Sequence, residues 1–402
     1  MTFQKPAHVP DHLFVPGNIW ENMGDCPHAY VKKTIGDGDI AYLQTHVHAG
    51  KALEGIWLTV SADTTRRVLS DTESFSSVGA TFYSTFLGGL TFFPVEIDPP
   101  EHTKYRAIAA EYFRAARVRE LEGAIAMRAD SLLDEMLPRG GCDFVAEFGK
   151  MFPALIFLDL MGVPNSRAPE FLVLAKKALA SPEPDKKTQA MQQIRDFLAE
   201  EIERRRAAPT DDALSAIANG EIDGRPLEMK EAVGGAMVVF VAGLDTVASQ
   251  LGWVFRQLAE DQELQTQLRK DPSNLTKVHE EFLRFFASVM MINRIATRDV
   301  QIGDALIKKG EALACSPALA CRDEKEFDHA SELNLSVPPR RHLAFGYGVH
   351  TCLGLHLARL ELRVVTERWL KRVPQFRIAP GAKLNSSRSA VLALDSLPLT
   401  WS

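Results

Sequence analysis

Apolar residues recur along most of the chain at the three-to-four-residue spacing of helices that bury one face. The spacing begins at Glu101 and is strongest in one long apolar segment, from about 229 to 260. The predicted helices span 101–116, 118–137, 143–161, 187–207 and 229–260. Two interruptions, at 181–186 and 218–226, are rich in Pro, Gly and acidic residues, and we interpret both as loops rather than domain linkers. The pattern therefore predicts a mainly α protein.

Strand signals lie near the two ends of the chain. Residues 40–60 carry β-branched and aromatic side chains around turn signals at Gly50 and Gly55, which predicts a small N-terminal sheet. After Arg294 come short β-like pieces, then a final helix from Leu353 to Lys371 and a β-hairpin in the last 25 residues. No fixed-period repeat is found. We therefore expect one domain over 1–402, richer in strands over about 1–100 and helical over about 101–402.

Composition narrows the class of protein. The chain has 402 residues, 46% of them hydrophobic, and a formal net charge of -6, so it can bury a large core and has no long-range attraction for nucleic acid or an anionic membrane. It shows neither a signal peptide nor a run of 18 or more uninterrupted apolar residues, so a cytoplasmic location is expected. We also expect a monomer. Its five cysteines are widely scattered, which fits reduced thiols better than a disulfide framework. They are Cys26, Cys142, Cys315, Cys321 and Cys352.

The strongest chemical signal is the segment Phe345–Gly354, FGYGVHTCLG. Its glycines allow backbone turns that a side chain would forbid, and Gly354 leaves room for a flat cofactor close to the backbone. Cys352 stands immediately before the predicted final helix, where free N–H groups and the helix dipole stabilise a thiolate and lower its pKa. A sulfur that ligates iron has this requirement.

Other interpretations of this segment stay open. A lone buried cysteine is most often an inert small hydrophobic residue. The spacing of His350, Cys352 and His356 could serve a zinc ion, although structural zinc sites want four ligands and usually CxxC pairs. A nucleotide-binding loop is a weaker interpretation, because Thr351 stands where the third glycine of GxGxxG would fall.

An acid and a hydroxyl, Asp245 and Thr246, lie in the middle of the long apolar segment. Such groups are costly to bury unless they are hydrogen-bonded. In one interpretation Thr246 is structural and bonds back to the carbonyl four residues earlier. In the other, the pair has a chemical function, and Gly243 loosens the helical ladder beside it.

The segment Phe345–Gly354 resembles the haem-binding loop of the cytochrome P450 superfamily, and the similarity spans essentially the whole chain. Within the superfamily the chain is most similar to the bacterial camphor-hydroxylating branch, through the runs GGAMVVFVAGLDT, AFGYGVHTCLGLHLAR and RIAPGAK. The resemblance implies the cytochrome P450 fold, a large helical domain with a long central helix and small β-sheets. It also implies a monooxygenase in which Cys352 ligates the iron of haem b (iron protoporphyrin IX), while Asp245 and Thr246 deliver protons to O2.

The resemblance assigns further residues to the haem site. The matched haem-contacting residues are His102, Arg106, Arg294 and His350, placed against the propionates, with Phe345 and Gly354 beside the macrocycle. Glu281 and Arg284 match a pair that shares one helix face and locks it to the segment beneath the haem loop. The arginine that usually completes this network falls near Val337, so Arg340 or Arg341 substitutes for it or the network is incomplete.

The positions that match the family's substrate contacts are nearly all apolar. They are Leu90, Phe92, Val238, Val241, Ala242, Val289 and Val391. Binding energy would then come chiefly from buried hydrocarbon, which fits a terpenoid or norisoprenoid substrate. Camphor-hydroxylating relatives hold the ketone with a Tyr hydroxyl, but Leu90 stands at that position, and Tyr83 is the alternative donor from the same loop. Camphor is therefore expected to bind weakly or to be oxidised without regioselectivity.

The resemblance also implies an electron supply from NAD(P)H through a [2Fe–2S] ferredoxin and its reductase. Local positive charge near the cysteine segment would steer an acidic ferredoxin, although a solvated helix face would look the same in the sequence. The basic residues are Arg340, Arg341, Arg359, Arg363 and Lys371. Two other functions stay open: a peroxide-driven or isomerising haem-thiolate enzyme, and a haem sensor or transport protein. Both have less use for Asp245 and Thr246.

Overall fold

The computed structural model describes residues 3–19, 26–48, 51–80, 90–164, 166–167, 169–171, 173–174, 177, 184–336, 341–386 and 391–402, with the backbone alone at 46–48, 51–53, 184 and 187. The helices include Pro27–Ile35, Ala62–Ser70, Glu101–Ala110, Ala115–Glu120, Glu122–Met136, Met151–Leu160, Pro184–Ala207, Ala213–Ala218, Met229–Glu260, Gln262–Lys270, Leu275–Phe285, Pro317–Ala320 and Leu355–Arg372. The strands include Phe14–Asn18, Ile40–His48, Lys51–Thr59, Phe75–Ser76, Gly141–Asp143, Glu221–Ile222, Arg225–Pro226, Ile292–Ala296, Val300–Ile302, Ala305–Ile307, Ala312–Cys315, Phe376–Ile378 and Pro398–Trp401. The predicted fold class, mainly helical with small sheets, is confirmed.

The predicted long helix is confirmed as Met229–Glu260, called the central helix below. It begins with a capping box, in which the side chains of Glu228 and Glu231 each accept a hydrogen bond from the other's backbone N–H. By length and composition alone this helix could cross a membrane, but 56% of its most apolar window is buried inside the protein, and the core helix of a soluble protein meets the same criterion. Trp253 and Val254, both 0% exposed, lie in the protein core.

Several helix boundaries differ from the prediction. The predicted helix 101–116 is divided, because Arg114 adopts an extended conformation (ψ 147°) between Glu101–Ala110 and Ala115–Glu120. The predicted helix 143–161 opens with a π-helical turn, and Asp143 Oδ1 accepts hydrogen bonds from the N–H groups of Val145 and Ala146. Such boundaries depend on local capping, which hydrophobic spacing does not report.

The predicted N-terminal sheet is confirmed and is larger than residues 40–60. Ile40–His48 and Lys51–Thr59 pair antiparallel, and Ala312–Cys315 then pairs parallel to Lys51–Thr59 with Leu313 opposite Trp57. The strand order is Phe14–Asn18, Ile40–His48, Lys51–Thr59, Ala312–Cys315, Ile292–Ala296 and Phe75–Ser76. One sheet therefore joins the strand-rich start of the chain to a segment some 250 residues later.

The predicted C-terminal hairpin is corrected by the structure. Pro398–Trp401 pairs antiparallel with Phe376–Ile378 on one side and with Gly141–Asp143 on the other. Among the described residues between the two terminal strands, the pairing is an isolated bridge of Ser386 with Leu394. The strands were visible in the sequence, but alternation of apolar and polar residues does not identify a strand's partner.

An aromatic cluster fixes the central helix against the final helix. Phe144, Phe255 and Trp369 are each 0% exposed. The ring centroids of Phe144 and Phe255 lie 4.1 Å apart, and Trp369 meets Phe255 edge-on at 5.0 Å. The two helices are thus held at a fixed separation, and the cavity described next is lined by both.

Candidate active site

The segment Phe345–Gly354, called the cysteine loop below, folds into a tight turn that presents Cys352. Gly346 and Gly348 have φ values of 71° and 73°, in the left-handed region that favours glycine. A Cβ atom on Gly348 would lie 2.7 Å from the carbonyl oxygen of Leu69, so the loop also packs closely on the helix Ala62–Ser70. The Cys352 N–H donates to the Phe345 carbonyl oxygen at 2.9 Å and closes the turn. The backbone path therefore depends on the two glycines, as the sequence indicates.

The environment of the Cys352 thiol differs from the prediction in one respect. The final helix begins at Leu355, two residues later than predicted, with Gly354 as its N-cap. Burial raises the pKa of the Cys352 thiol, while the Gly354 N–H and the guanidinium groups of Arg106 and Arg359 oppose that rise. The prediction of a lowered pKa was wrong for the polypeptide, because desolvation outweighs the helix terminus and the nearby cations.

A cavity of about 470 Å³ separates the cysteine loop from the central helix. It is mostly apolar, which is typical of a pocket for a small molecule. Ten of the predicted haem-binding, catalytic and substrate-binding residues line it. They are Arg106, Val238, Ala242, Thr246, Val289, Arg294, Phe345, His350, Cys352 and Gly354. The structure thus places residues from four distant segments around one space.

The other predicted site residues lie behind this wall or beside it. Leu90 and Phe92 are 9% and 3% exposed and belong to the hydrophobic core. Val391 forms a bridge with Val289, which does line the cavity. Val241 packs against the core from the central helix, and Asp245 follows it one turn later on an exposed part of that helix. These positions stay predictions, and Tyr83 lies outside the described residues.

A buried cluster of cationic and imidazole groups lies at one end of the cavity. Arg294 is 3% exposed, and while its Nη1 donates to the Asn293 carbonyl oxygen at 2.8 Å, its Nε and Nη2 have no partner among the described residues. His102 is 1% exposed and neither ring nitrogen has a partner there. Its ring centroid lies 4.2 Å from that of His350, whose Nε2 lies 3.1 Å from Ser77 Oγ.

The electrostatics of this cluster favour a bound anion. Burial, together with Arg294, His102 and Arg106, lowers the pKa of His350 to about 3. Burial and Arg106 likewise lower the pKa of His102. Because buried donors without partners are costly, a group carrying carboxylates would satisfy several of them at once. The donor set therefore fits the two propionates of a haem.

The geometry of Thr246 is compatible with both of its interpretations, the structural one and the chemical one. Its Oγ1 donates to the Ala242 carbonyl oxygen at 2.8 Å, which is the back-bond that the structural interpretation predicts. The side chain also lines the cavity. At Gly243 a Cβ atom would meet no atom of the described residues within 4 Å, so the helix leaves space beside the hydroxyl. Thr246 can therefore hold the helix and face a small molecule at the same time.

Glu281 and Arg284 form the predicted pair, with Arg284 Nη2 2.6 Å from Glu281 Oε1. Arg284 Nε also donates to Glu281 Oε2 at 2.8 Å, so the pair is bidentate. The guanidinium donates in addition to three backbone carbonyl oxygens. These are the carbonyl oxygens of Cys321 and Ala330, both at 2.9 Å, and of Glu332 at 2.8 Å. Arg341 is exposed, while Val337 and Arg340 lie outside the described residues. The backbone thus supplies acceptors that fix this segment beneath the cysteine loop.

Glu361 is a site residue that sequence reasoning missed. It lies in the final helix, is 3% exposed and lines the cavity. Its Oε2 has no partner among the described residues, and burial raises the pKa of the carboxyl to about 8. The available signal was its position between Leu360 and Leu362, both buried, where a charge interrupts an apolar run. A carboxyl that stays neutral near pH 7 can donate a hydrogen bond.

The basic residues near the cysteine loop are partly neutralised. Arg359 pairs with Glu280 through Nε at 2.5 Å, and its guanidinium lies 4.5 Å from the centroid of the Phe345 ring. Arg363 pairs with Glu122 at 2.7 Å and also contacts Glu367. Of the other three, Arg341 and Lys371 are exposed and Arg340 lies outside the described residues.

The zinc alternative finds no support in the described part of the chain. No three His, Cys, Asp or Glu side chains there are grouped as metal ligands. The ring of His350 is instead placed against His102 and Ser77.

Comparison with known proteins agrees with this geometry. The family model for cytochrome P450 matches residues 56–390. The probable cytochrome P450 127A1 of Sinorhizobium fredii is 34% identical over 98% of this chain and 96% of its own length. The steroid C26-monooxygenase of Mycobacterium tuberculosis is 32% identical over 76% of this chain and 85% of its own length. The crystal structure of cytochrome P450 CYP101C1 has a TM-score of 0.90 at 29% identity, covering 99% of this chain and 100% of that one. The chain is a member of the cytochrome P450 family of haem-thiolate monooxygenases.

Proposed function

We propose that this cytochrome P450 hydroxylates a small apolar molecule of the terpenoid or norisoprenoid class, using O2 and electrons from a [2Fe–2S] ferredoxin. One observation carries the proposal: Cys352 and Thr246 line the same cavity from opposite sides, and most of the wall between them is apolar. We place the enzyme in the cytoplasm as a single-domain monomer.

The residues present fit a haem. Cys352 would ligate its iron, while His102, Arg106, Arg294 and His350 would hold its propionates. Two donors of Arg294 and both ring nitrogens of His102 lack a partner among the residues that the structure describes, which supports this assignment. Gly354 supports it too, because the nearest atom to a Cβ there would be Cys352 Sγ at 3.9 Å. Haem bound in this way supplies an iron that binds and activates O2.

The central helix would manage protons. In this proposal Asp245 passes protons from solvent towards Thr246, whose hydroxyl holds one at the cavity wall. The exposed position of Asp245 supports its half of the relay, and the back-bond of Thr246 to Ala242 fixes the hydroxyl oxygen. Val238, Ala242 and Val289 would exclude water and hold the substrate by burial of hydrocarbon, worth about 25 cal/mol per Å².

The substrate class is tested by a panel of ligands for the shift of the haem absorption band. We expect camphor to bind weakly or to give several products, because Leu90 cannot hold a ketone and a lost hydrogen bond weakens binding by about 0.5–1.5 kcal/mol. Less polar terpenoids should shift the band strongly. Tight camphor binding with one hydroxylated product would refute this part of the proposal.

The haem-thiolate assignment is tested by the carbonyl complex of the reduced protein. The Cys352→Ala variant should lack the absorption of a thiolate-ligated carbonyl complex, whereas Cys142→Ala, at a half-buried cysteine outside the cavity, should keep it. An undiminished band in Cys352→Ala would overturn the assignment. Consumption of NADH coupled to product, with a ferredoxin and its reductase, separates a monooxygenase from a peroxide-driven or isomerising enzyme and from a haem sensor.

A further inference from the structure

A buried chain of hydrogen bonds, called the polar brace below, connects the central helix to the cavity wall. Gln250 lies four residues after Thr246, is 5% exposed and also lines the cavity. Its Nε2 donates to the Phe282 carbonyl oxygen at 3.1 Å, and its Oε1 accepts from Ser288 Oγ at 3.1 Å. The one amide therefore binds the helix Leu275–Phe285 and the segment that follows it.

The polar brace continues into the C-terminal segment. The Leu392 N–H donates to the Ser288 carbonyl oxygen at 2.7 Å. The Leu392 carbonyl oxygen accepts from Ser249 Oγ at 2.6 Å and from Trp253 Nε1 at 2.7 Å. All these groups belong to residues that are less than a tenth exposed. The end of the helix Leu275–Phe285, the segment that follows it and the C-terminal segment are thus tied to one part of the central helix by bonds shielded from water.

Two predicted substrate contacts are neighbours of the residues in this brace. Val289 follows Ser288 and lines the cavity, and Val391 precedes Leu392. The two valines form a β-bridge with each other. Their positions are therefore set by the hydrogen bonds on either side rather than by contacts of their own side chains alone.

We infer that Gln250 is a positioning residue that sets the height of Val289 and Val391 over the bound substrate and thereby determines which molecules fit and which carbon is presented. The inference rests on the proposed function, because it takes this cavity as the substrate site. A methylene of misfit in an apolar pocket changes discrimination between ligands by about tenfold or more, so small movements of these two valines should be measurable.

The loss of Gln250 should act locally. In Gln250→Leu the Ser288 hydroxyl keeps a weak contact to the Phe286 carbonyl oxygen at 3.4 Å, and the Phe282 carbonyl oxygen loses a donor. The segment Ser288–Val289 then loses its direct hydrogen bond to the central helix and is held to it through Leu392, so it can shift relative to that helix. Ser288→Ala removes the same bond from the other side, while Ser288→Thr retains the hydroxyl.

A matched control is available elsewhere in the molecule. Gln265 is 0% exposed, and its Nε2 donates to the carbonyl oxygens of Leu258 at 2.6 Å and Phe376 at 2.8 Å. It therefore bridges a helix and a strand as Gln250 bridges two segments, but it lies outside the cavity wall. Gln265→Leu should lower the melting temperature without changing ligand discrimination.

The experiment titrates haem-loaded protein with limonene and with β-ionone and follows the shift of the haem absorption band. We expect Gln250→Leu and Ser288→Ala to change the ratio of the two Kd values by about fivefold or more, with altered product distribution. Ser288→Thr and Gln265→Leu should keep the ratio within about twofold of wild type. An unchanged ratio in both Gln250→Leu and Ser288→Ala would overturn the inference, and if Gln250→Leu does not fold, Ser288→Ala decides alone. Failure of this inference can be distinguished from failure of the proposed function, because in the second case the wild-type protein would lack the thiolate-type carbonyl band.

Discussion

The buried carboxyl of Glu361 should make the stability of the protein depend on pH. It is 3% exposed in the final helix, and burial raises its pKa from 4.5 to about 8. Below about pH 4.5 the carboxyl is neutral in the folded and the unfolded chain alike, so its stabilising contribution is fully present. As the pH rises above about 4.5, the unfolded chain loses this proton while the folded protein keeps it, so the free energy of unfolding falls. The fall ends near pH 8, where the carboxyl ionises in the folded protein as well.

The magnitude follows from the difference between the two pKa values. Each pH unit between them lowers the free energy of unfolding by about 1.4 kcal/mol, so at pH 7 the loss is about 3 kcal/mol relative to pH 4.5. Replacement of Glu361 by Gln keeps the shape and removes the titration. For a chain of this length, 3 kcal/mol corresponds to about 4 °C in melting temperature.

The assay measures melting temperatures of haem-loaded wild type and Glu361→Gln between pH 5 and pH 8. We expect values within about 1 °C of each other at pH 5 and a variant about 4 °C more stable at pH 7. The control is Glu135→Gln, at an exposed position, which should show no such trend. A difference between Glu361→Gln and wild type that stays constant across this pH range would refute the reasoning, since the carboxyl would then not be held neutral by burial.

Three other predictions concern the central helix, the electron supply and the cysteine loop. Thr246→Ala should bind substrate nearly as tightly as wild type but divert NADH to peroxide, and Asp245→Asn should slow turnover. The control Thr266→Ala removes the same kind of back-bond from another helix and should do neither. Full coupling of NADH to product in Thr246→Ala would contradict the role of Thr246 in proton delivery. Arg341→Glu should slow reduction by an acidic ferredoxin, more at low than at high ionic strength, whereas Arg377→Glu should not. Reduction rates that respond neither to Arg341→Glu nor to ionic strength would argue against docking of the ferredoxin beside the cysteine loop. Gly348→Ala should lower the free energy of unfolding by more than about 1 kcal/mol, because φ is 73° and Leu69 blocks the Cβ. The effect should exceed that of Gly381→Ala, where φ is 78° and no atom of the described residues lies within 4 Å of the Cβ position. Equal effects in melting experiments would disprove the packing argument.

The sequence was informative where chemistry and periodicity are local. Gly348 and Cys352 lie within one loop, so their relation could be inferred from the sequence. The central helix was predicted with its boundaries because its apolar spacing runs unbroken to Glu260. The residues proposed to bind the propionates, such as Arg294, were matched by resemblance. That Nε and Nη2 of Arg294 have no hydrogen-bond partner in the described part of the chain is visible only in three dimensions.

The features that could not be predicted from the sequence are contacts between residues that are far apart in the chain. Arg284 donates to backbone carbonyl oxygens, which every residue has. The residue types in the sequence therefore do not indicate which carbonyl oxygens accept these bonds. Pro398–Trp401 pairs with Gly141–Asp143 because the packing of the whole protein brings the two strands together. The alternation of apolar and polar residues in Pro398–Trp401 does not specify which strand will be its partner. The thiol pKa was misjudged because burial of Cys352 depends on the whole cavity and not on the adjacent helix.

The long-range sheet has a consequence for biogenesis. Lys51–Thr59 obtains its parallel partner from Ala312–Cys315, so the relevant contact spans most of the chain and gives the fold a high contact order in this region. At a synthesis rate of about 5–20 residues per second, the N-terminal strands wait roughly 10–50 s on the ribosome with an open edge. An unpaired strand edge invites intermolecular pairing. Slower translation or a lack of chaperones should therefore reduce the soluble yield of this protein through its sheet, even though most of its residues that contact the cavity are helical.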